Sequence, residues 1–189
     1  KPIGLLYSTW PAGYDHLVGL TAEKPQKHAE PWHTWHAAEE AYFALKHTGL
    51  PVESLEESEL IATDGQLPNK AIVLSRLHYL RPQAKAALQK FIANGGEVFI
   101  DQSSTIELDG VTDLPVAMDE TFDMIFPAGG YEGWHRYKHR DDFTPVAMRH
   151  AEALKPILEK FDNAQVAVDS EQTVHWNVKD GGQVRYLFL

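Results

Sequence analysis

Short apolar runs in the first hundred residues predict the strands of a parallel sheet. Three of them have no polar alternation, which is typical of strands buried on both faces. A fourth run has an edge-like pattern. The three buried runs are Ile3–Ser8, Lys70–Ser75 and Glu97–Asp101, and the edge-like one is Pro51–Leu55.

Amphipathic stretches separate these runs and predict helices. Trp35, Ala38, Tyr42 and Leu45 recur at three- and four-residue steps, and Gly49-Leu50-Pro51 supplies a helix stop. Arg81–Ala93 has a second apolar face. Strands alternating with helices in this order predict right-handed βαβ units and a parallel sheet. Residues 9–31 contain several prolines and glycines and are predicted to form a long loop.

The second half of the chain has a less regular pattern. Thr144-Pro145 predicts a helix start that continues to about Phe161, with Pro156 kinking or splitting it. We also predict a short strand at Val166–Val168 and a hairpin formed by Val174–Val178 and Val184–Leu189. The predicted fold is an α/β three-layer αβα sandwich with a mainly parallel, flavodoxin-like sheet and a C-terminal β-hairpin. Residues 1–189 are predicted to form one domain.

The composition of the chain disfavours or excludes several classes of function. The formal net charge of −10 disfavours nucleic acid as a partner. No apolar run approaches a membrane span, which predicts a soluble domain without a membrane partner. The chain has no cysteine, so thiolate chemistry and Cys-ligated metals are excluded, while the compartment stays open. No cofactor is predicted.

The two ends of the chain suggest a piece of a longer protein. Lys1 is not an initiator methionine, and the chain stops within the apolar run Tyr186–Leu189 without a polar tail. We therefore expect that the domain was excised from a multidomain protein.

The amino-acid sequences of several segments, and the order of these segments along the chain, resemble those of a known protein family. These segments are Ile3–Ser8, Ala37–Pro51, Lys70–Ser75, Leu80–Gly96, Glu97–Asp101 and the closing hairpin Val174–Leu189. They resemble class I glutamine amidotransferase-like domains, above all the non-catalytic version attached to glycoside hydrolases. In family 42 β-galactosidases that version is called the trimerisation domain. The resemblance implies an architecture and a kind of parent protein rather than a reaction.

Catalytic members of that family carry a nucleophilic Cys on the turn after the strand that corresponds to Glu97–Asp101. Here the turn reads Gln102-Ser103-Ser104-Thr105, without the Gly-x-Cys-x-Gly context. A serine replacement needs an adjacent His base, an oxyanion hole and an elbow that the flanking glycines permit. The amidotransferase reaction is therefore not expected, and a serine hydrolase is the weakest alternative.

Open parallel sheets bind ligands beyond the carboxyl ends of their strands, where the strand order switches. For the order 2-1-3-4-5 the switch lies between the strands ending at Ser8 and Ser75. The alternative interpretation is that these polar strand ends are solvated or cap helices. The predicted ligand-binding residues are Ser8, Thr9, Trp10, Ser75, Arg76, His78, Asp101, Gln102 and Ser103.

Two further groups of residues are candidate sites. His33, His36 and Glu40 share one helix face, as metal ligands do, but the helix N-terminus disfavours a cation, so packed or interface histidines are favoured. The segment Tyr131–Arg140 contains Trp134 and suits a sugar ring, a partner surface or contact within the chain. No pair of carboxylates marks a glycosidase.

The favoured interpretation is a non-catalytic accessory domain of a glycoside-hydrolase-like protein. It would mediate oligomerisation or interdomain contact through aromatic residues, with other domains or a second copy as partners. Its contact residues would be Trp10, Trp32, Trp35 and Trp134. The alternatives are a small-ligand or carbohydrate-binding domain that uses the sheet edge, and a serine hydrolase.

Overall fold

A computed structural model describes residues 3–8, 31–120, 140–161, 177–180 and 185–188 of the chain. Seven strands, four helices and one 3₁₀ turn lie in these ranges. The strands are β1 (Ile3–Tyr7), β2 (Val52–Glu56), β3 (Ala71–Leu74), β4 (Glu97–Ile100), β5 (Thr112–Asp113), β6 (Asn177–Asp180) and β7 (Arg185–Phe188). The helices are α1 (Pro31–His47), α2 (Glu57–Ala62), α3 (Pro82–Ala93) and α4 (Arg140–Leu158), with the 3₁₀ turn at Glu159–Phe161.

The main sheet has five strands in the order β2-β1-β3-β4-β5, and every neighbouring pair is parallel. This is the predicted flavodoxin-like order, and β2 lies at the predicted edge. β6 and β7 form an antiparallel hairpin, as predicted, but β6 ends at Asp180, which pairs with Arg185, two residues beyond the predicted end at Val178. The α/β fold class predicted from the sequence is confirmed.

The buried side chains divide into two clusters, one on each face of the sheet. Val73 and Phe99 belong to one cluster, together with residues of α1 and α4. Ile72 and Leu74 belong to the other, together with residues of α2 and α3. Because successive strand residues point to opposite faces, one apolar run supplies both cores. The sheet therefore lies between two helical layers.

The last helix differs from its prediction. α4 begins at Arg140, four residues before the predicted cap at Thr144, and it continues as one helix through Pro156 before the 3₁₀ turn. Pro145 lies in the second turn, where its ring removes one hydrogen bond to a carbonyl of the first turn. Pro156 lies in the last turn, so a single lost bond there does not split the helix. The split at Pro156 was therefore wrong, and the alternative of a kink there stays a prediction.

Two short elements were not predicted. α2 occupies Glu57–Ala62 and begins inside the acidic run Glu56-Glu57-Ser58-Glu59, which has no apolar periodicity. β5 has only two residues, too few for a periodic pattern. The predicted loop over 9–31 and the predicted strand Val166–Val168 lie outside the described residues, except that Pro31 begins α1.

Candidate functional site

The carboxyl edge of the sheet is the candidate site, because the strand order switches there between β1 and β3. Ser8 follows β1 and Ser75 follows β3, and both side chains are buried. Buried polar side chains at strand ends need hydrogen-bond partners. Those partners are two buried carboxylates, Asp101 and Glu57.

Asp101 follows β4 and is only 2% exposed. Its Oδ2 accepts hydrogen bonds from Ser75 Oγ at 3.2 Å, Ser103 Oγ at 2.6 Å and the Met118 backbone N–H at 2.8 Å. Its Oδ1 accepts from the Arg76 backbone N–H at 3.1 Å and Ser104 Oγ at 2.7 Å. One carboxylate therefore ties together the loops that follow β3, β4 and β5.

These bonds commit the two serines of the turn after β4. A serine hydroxyl has a single hydrogen to donate. Ser103 and Ser104 both donate theirs to Asp101, and Ser104 Oγ also accepts the Leu77 backbone N–H at 2.9 Å. In this arrangement the two hydroxyls stabilise the turn after β4, and Ser104 also joins that turn to the loop after β3.

Backbone contacts close the same region further. The N–H groups of Thr105 and Ile106 both donate to the Leu77 carbonyl, at 3.0 and 3.1 Å. His78 Nδ1 lies 2.8 Å from Thr105 Oγ1. The loops after β3 and β4 are thus joined side by side.

Arg76 adds a buried cation next to this network. It has a left-handed backbone with φ of 48°, and its Nη1 lies 3.5 Å from Asp119 Oδ2. The left-handed region is uncommon for a residue with a side chain. The Asp101 bond to the Arg76 N–H fixes that backbone and directs the guanidinium towards the loop after β5.

Glu57 is the second buried carboxylate and lies at the other half of the edge. It is 3% exposed and begins α2, directly after β2. Ser8 Oγ donates to Glu57 Oε2. Arg81 Nε donates to Glu57 Oε1 at 2.7 Å, and the Arg81 backbone N–H does so at 3.4 Å. Glu57 thus joins the carboxyl ends of β1, β2 and β3.

A depression of about 510 Å³ lies beyond β4, beside the loop that leads to β5. Its lining contains the exposed Gln102, the carboxylates of Glu107, Asp109 and Asp113, and apolar side chains such as Ile106. The volume lies within the usual range of small-molecule sites. It is the second candidate position for a ligand at this edge.

A third buried polar group joins α1 to α4. Glu40 is 0% exposed, and its Oε1 lies 2.9 Å from His150 Nε2. The Glu120 backbone N–H donates to the same oxygen at 3.3 Å, and Glu120 Oε1 lies 3.8 Å from His150 Nε2. Arg149 pairs with Glu120 in turn. Helix α1 is therefore fastened to α4 and to the loop after β5.

Two ionisable groups outside these networks have shifted pKa values. Partial burial raises the pKa of the Tyr7 phenol above its ordinary 10.0, and the nearby Glu56 carboxylate raises it further. Burial lowers the pKa of the Lys46 ammonium below its ordinary 10.5, because the charged form loses hydration.

The predicted ligand-binding residues fall into separate groups. Ser75, Arg76, Asp101 and Ser103 share one network, while Ser8 belongs to the Glu57 group. His78 contacts Thr105, and Gln102 borders the depression. Thr9 and Trp10 lie outside the described residues. The ligand-binding role of the set stays a prediction.

The predicted metal and aromatic residues are only partly described. His36 Nδ1 lies 3.4 Å from Glu39, and Glu40 contacts His150, so these two candidate metal ligands have protein partners. Within the described ranges, no three His, Asp or Glu side chains are grouped to hold a metal ion. The side chains of Trp32, His33 and Trp35 on α1, and all of Trp134, lie outside the described part.

Glu57, Glu40 and His150 were missed as buried polar residues from the sequence. The acidic run around Glu57 has no apolar periodicity, and His150 lies alone on a mixed helix face. One signal was present: Glu40 lies on the apolar face of α1, between Ala37 and Ala44. A carboxylate on such a face predicts a buried partner.

None of the helices in the described segments is long and apolar enough to cross a membrane.

Comparison with known proteins gives a weak likeness. No protein-family model and no curated protein sequence matches the chain. One similar crystal structure is a "putative sugar binding protein" from Salmonella typhimurium LT2, at 14% identity and a TM-score of 0.40. Another is apo exo-carrageenase GH42 from Bacteroides ovatus, at 15% identity and a TM-score of 0.44.

The chain spans only part of these proteins. The alignment covers 86% of this chain and 40% of the Salmonella chain. For the Bacteroides protein the figures are 96% and 21%. A likeness this weak carries nothing about function.

Proposed function

We propose that the chain is a non-catalytic accessory domain of a larger, glycoside-hydrolase-like protein, in which it mediates oligomerisation or contact with other domains. The Asp101 network is the observation that carries the proposal. It occupies the turn after β4, where catalytic domains of the resembled family hold their nucleophile. Here both serine hydroxyls of that turn donate to Asp101, whose carboxylate accepts five hydrogen bonds in all.

A carboxylate has about four lone-pair positions, so five donors saturate it. Every lone-pair position is therefore occupied in this arrangement, which leaves none for a substrate or a ligand. The same network fixes the loops after β3, β4 and β5 relative to each other. A rigid edge of this kind suits a domain that presents a surface.

Two exposed hydrophobic residues in the described part of the chain are candidates for the contact surface. Its exposed large hydrophobic residues are Phe43 on α1, 37% exposed, and Met148 on α4, 44% exposed. Both helices belong to the same layer of the sandwich. The position of these two side chains supports a contact surface on that layer.

The first experiment measures the intact mass of the native gene product with an antibody against this domain. A band far heavier than 21.3 kDa is expected. A band near the mass of this chain would contradict the accessory role.

The second experiment tests the contact layer in that native protein. Phe43→Glu and Met148→Glu are compared by sedimentation with Lys85→Glu, an exposed change on the opposite layer. The first two should weaken assembly or interdomain docking at least tenfold, or about 1.4 kcal/mol, while the third should not. Equal behaviour of all three variants would remove this layer from the proposal.

Ligand binding at the sheet edge is the second candidate function, and the 510 Å³ depression favours it. The test is tryptophan fluorescence, with Trp10 and Trp32 as reporters, during titration with a sugar panel. A saturable change that Gln102→Ala removes would support this candidate, and no change across the panel would count against it. A fluorophosphonate probe should label neither Ser103 nor Ser104; labelling lost on Ser→Ala would revive the hydrolase alternative.

A further inference from the structure

Glu57 occupies the place in this fold where a ligand normally binds. The strand order switches between β1 and β3, and open parallel sheets bind ligands beyond that point. Ser8 directly follows β1, and Arg81 precedes α3, the helix that follows β3. The Glu57 carboxylate reaches both from the start of α2.

The groups around this carboxylate form an anion site. Arg81 supplies its guanidinium Nε–H at 2.7 Å and its backbone N–H at 3.4 Å, and Ser8 supplies a hydroxyl. The Arg81 N–H stands at the beginning of α3, a helix of twelve residues, whose dipole favours negative charge there. A guanidinium, a helix-start N–H and a hydroxyl are a combination that proteins use for carboxylates.

We propose that the crevice between β1 and β3 is a carboxylate-binding site whose resident ligand is Glu57 of the same chain. The side chain is tethered, so it competes with anions from solution at a high effective concentration. The crevice is therefore closed to outside ligands in the natural chain. This inference is independent of the accessory role, because a self-filled site is compatible with any function elsewhere.

The proposal predicts what removing Glu57 leaves behind. Glu57→Ala deletes one methylene and the carboxylate, which together have the size of acetate. Arg81 and Ser8 then lose a partner that was almost fully buried, which is costly for a charged donor. The Arg81 side chain that borders the vacated position is 32% exposed. Acetate or formate should enter and restore the lost bonds.

The experiment follows the thermal midpoint of Glu57→Ala in increasing sodium acetate, with sodium chloride keeping ionic strength constant. The midpoint should rise saturably, by about 2–4 °C when acetate is roughly five times its dissociation constant. The wild type and Glu59→Ala, a change of an exposed carboxylate in the same helix, should show no such rise. The rise should disappear in Glu57→Ala/Arg81→Met.

The absence of an acetate-specific rise in Glu57→Ala would overturn the proposal, as would a rise that survives Arg81→Met. If Glu57→Ala is unfolded in plain buffer, circular dichroism provides the same decision. Folding that acetate restores and chloride does not would support the site. A chain that stays unfolded in both salts would contradict it. Phosphate in place of acetate tests whether the site is restricted to planar carboxylates.

Discussion

At the scale of a single residue, Asp101 decides how three loops meet. Asparagine has the same shape, but its NH₂ group must face at least two of the present donors. We expect Asp101→Asn to lower the free energy of unfolding by about 2–4 kcal/mol in urea denaturation, because buried donors lose their acceptor. Asp113→Asn, an exposed change nearby, should stay within about 0.5 kcal/mol of wild type. Equal stability of the two variants would contradict the network's importance.

The Tyr7 phenol makes the free energy of unfolding depend on pH in the alkaline range. Its pKa is raised above 10.0 in the folded protein, so above that pH the unfolded chain releases its proton first. The unfolded state then binds fewer protons than the folded state. The contribution of Tyr7 therefore lowers the free energy of unfolding as pH rises through the folded pKa.

Tyr7→Phe should remove this loss, so the stability difference between variant and wild type should grow in favour of the variant above pH 10. Lys46 acts with the opposite sign, since its lowered pKa leaves the unfolded state with more bound protons. Urea unfolding on both sides of pH 10 measures the difference, in which the Lys46 contribution cancels. A constant difference across that range would show that Tyr7 does not titrate as described.

The sequence located some of these residues and missed others for a physical reason. Two of them directly follow apolar strands, Ser75 after β3 and Asp101 after β4, and Ser103 comes two residues after Asp101. A parallel sheet must bring such residues to one edge. Glu57 also follows a strand, but its neighbours Glu56, Ser58 and Glu59 are exposed, which hid it in a polar run. Its burial depends on Arg81, which is distant in sequence and contributes no local pattern.

At the scale of elements, α1 and α4 share a buried polar tie. Glu40 Oε1 and His150 Nε2 lie 2.9 Å apart where the two helices pack, and the Glu120 backbone N–H donates to the same oxygen at 3.3 Å. In a double-mutant cycle with Glu40→Ala and His150→Ala, we expect a coupling energy of about 1–3 kcal/mol. The free energy of unfolding of the four proteins gives this value. Effects that add within about 0.5 kcal/mol would show that the two side chains act separately.

Two glycines offer a matched test of helix packing. Gly49 and Gly65 both have positive φ, of 81° and 76°. A Cβ at Gly49 would meet nothing within 4 Å, whereas at Gly65 it would lie 2.2 Å from the Ala87 carbonyl oxygen of α3. Gly49→Ala should cost about 1–2 kcal/mol of backbone strain. Gly65→Ala should cost clearly more, since α3 must move, and equal costs in urea denaturation would contradict this packing.

Element boundaries followed the sequence wherever an apolar run ended in polar residues. β1, β3 and β4 each begin and end within one residue of the prediction. The start of α4 was missed because Thr144-Pro145 is a strong local start signal, whereas a proline in the second turn removes only one hydrogen bond and is tolerated there. The two-residue β5 forms through pairing with β4 and has no signal of its own.

At the scale of the whole molecule, apolar and polar interactions stabilise different parts of the sheet. Apolar side chains fill both faces of the sheet, while two buried carboxylates join all the strand ends at the carboxyl edge. The sequence predicted the sheet order because alternating strands and helices leave few right-handed topologies. It did not predict which edge residues bond to each other, because those bonds depend on loop conformations.

This arrangement predicts how the sheet opens. β3 lies between β1 and β4, with Ile72 and Val73 fully buried, whereas β2 pairs with β1 alone. The amides of Ile72 and Val73 should therefore exchange only through global unfolding, while Glu53 and Ser54 on β2 should exchange at least tenfold faster through local opening. Hydrogen exchange followed by NMR measures both.

Asp101→Asn then separates global from local effects. If Asp101 stabilises the whole sheet, the variant should lower the exchange free energy of Val73 by the same amount as its urea-measured loss. The exchange of Ser54, which opens locally, should change far less. If Val73 keeps its protection while only residues near Asp101 lose theirs, the carboxylate holds the loops alone. The edge and the sheet would then unfold as separate units, and a rigid edge would no longer support the proposed contact role.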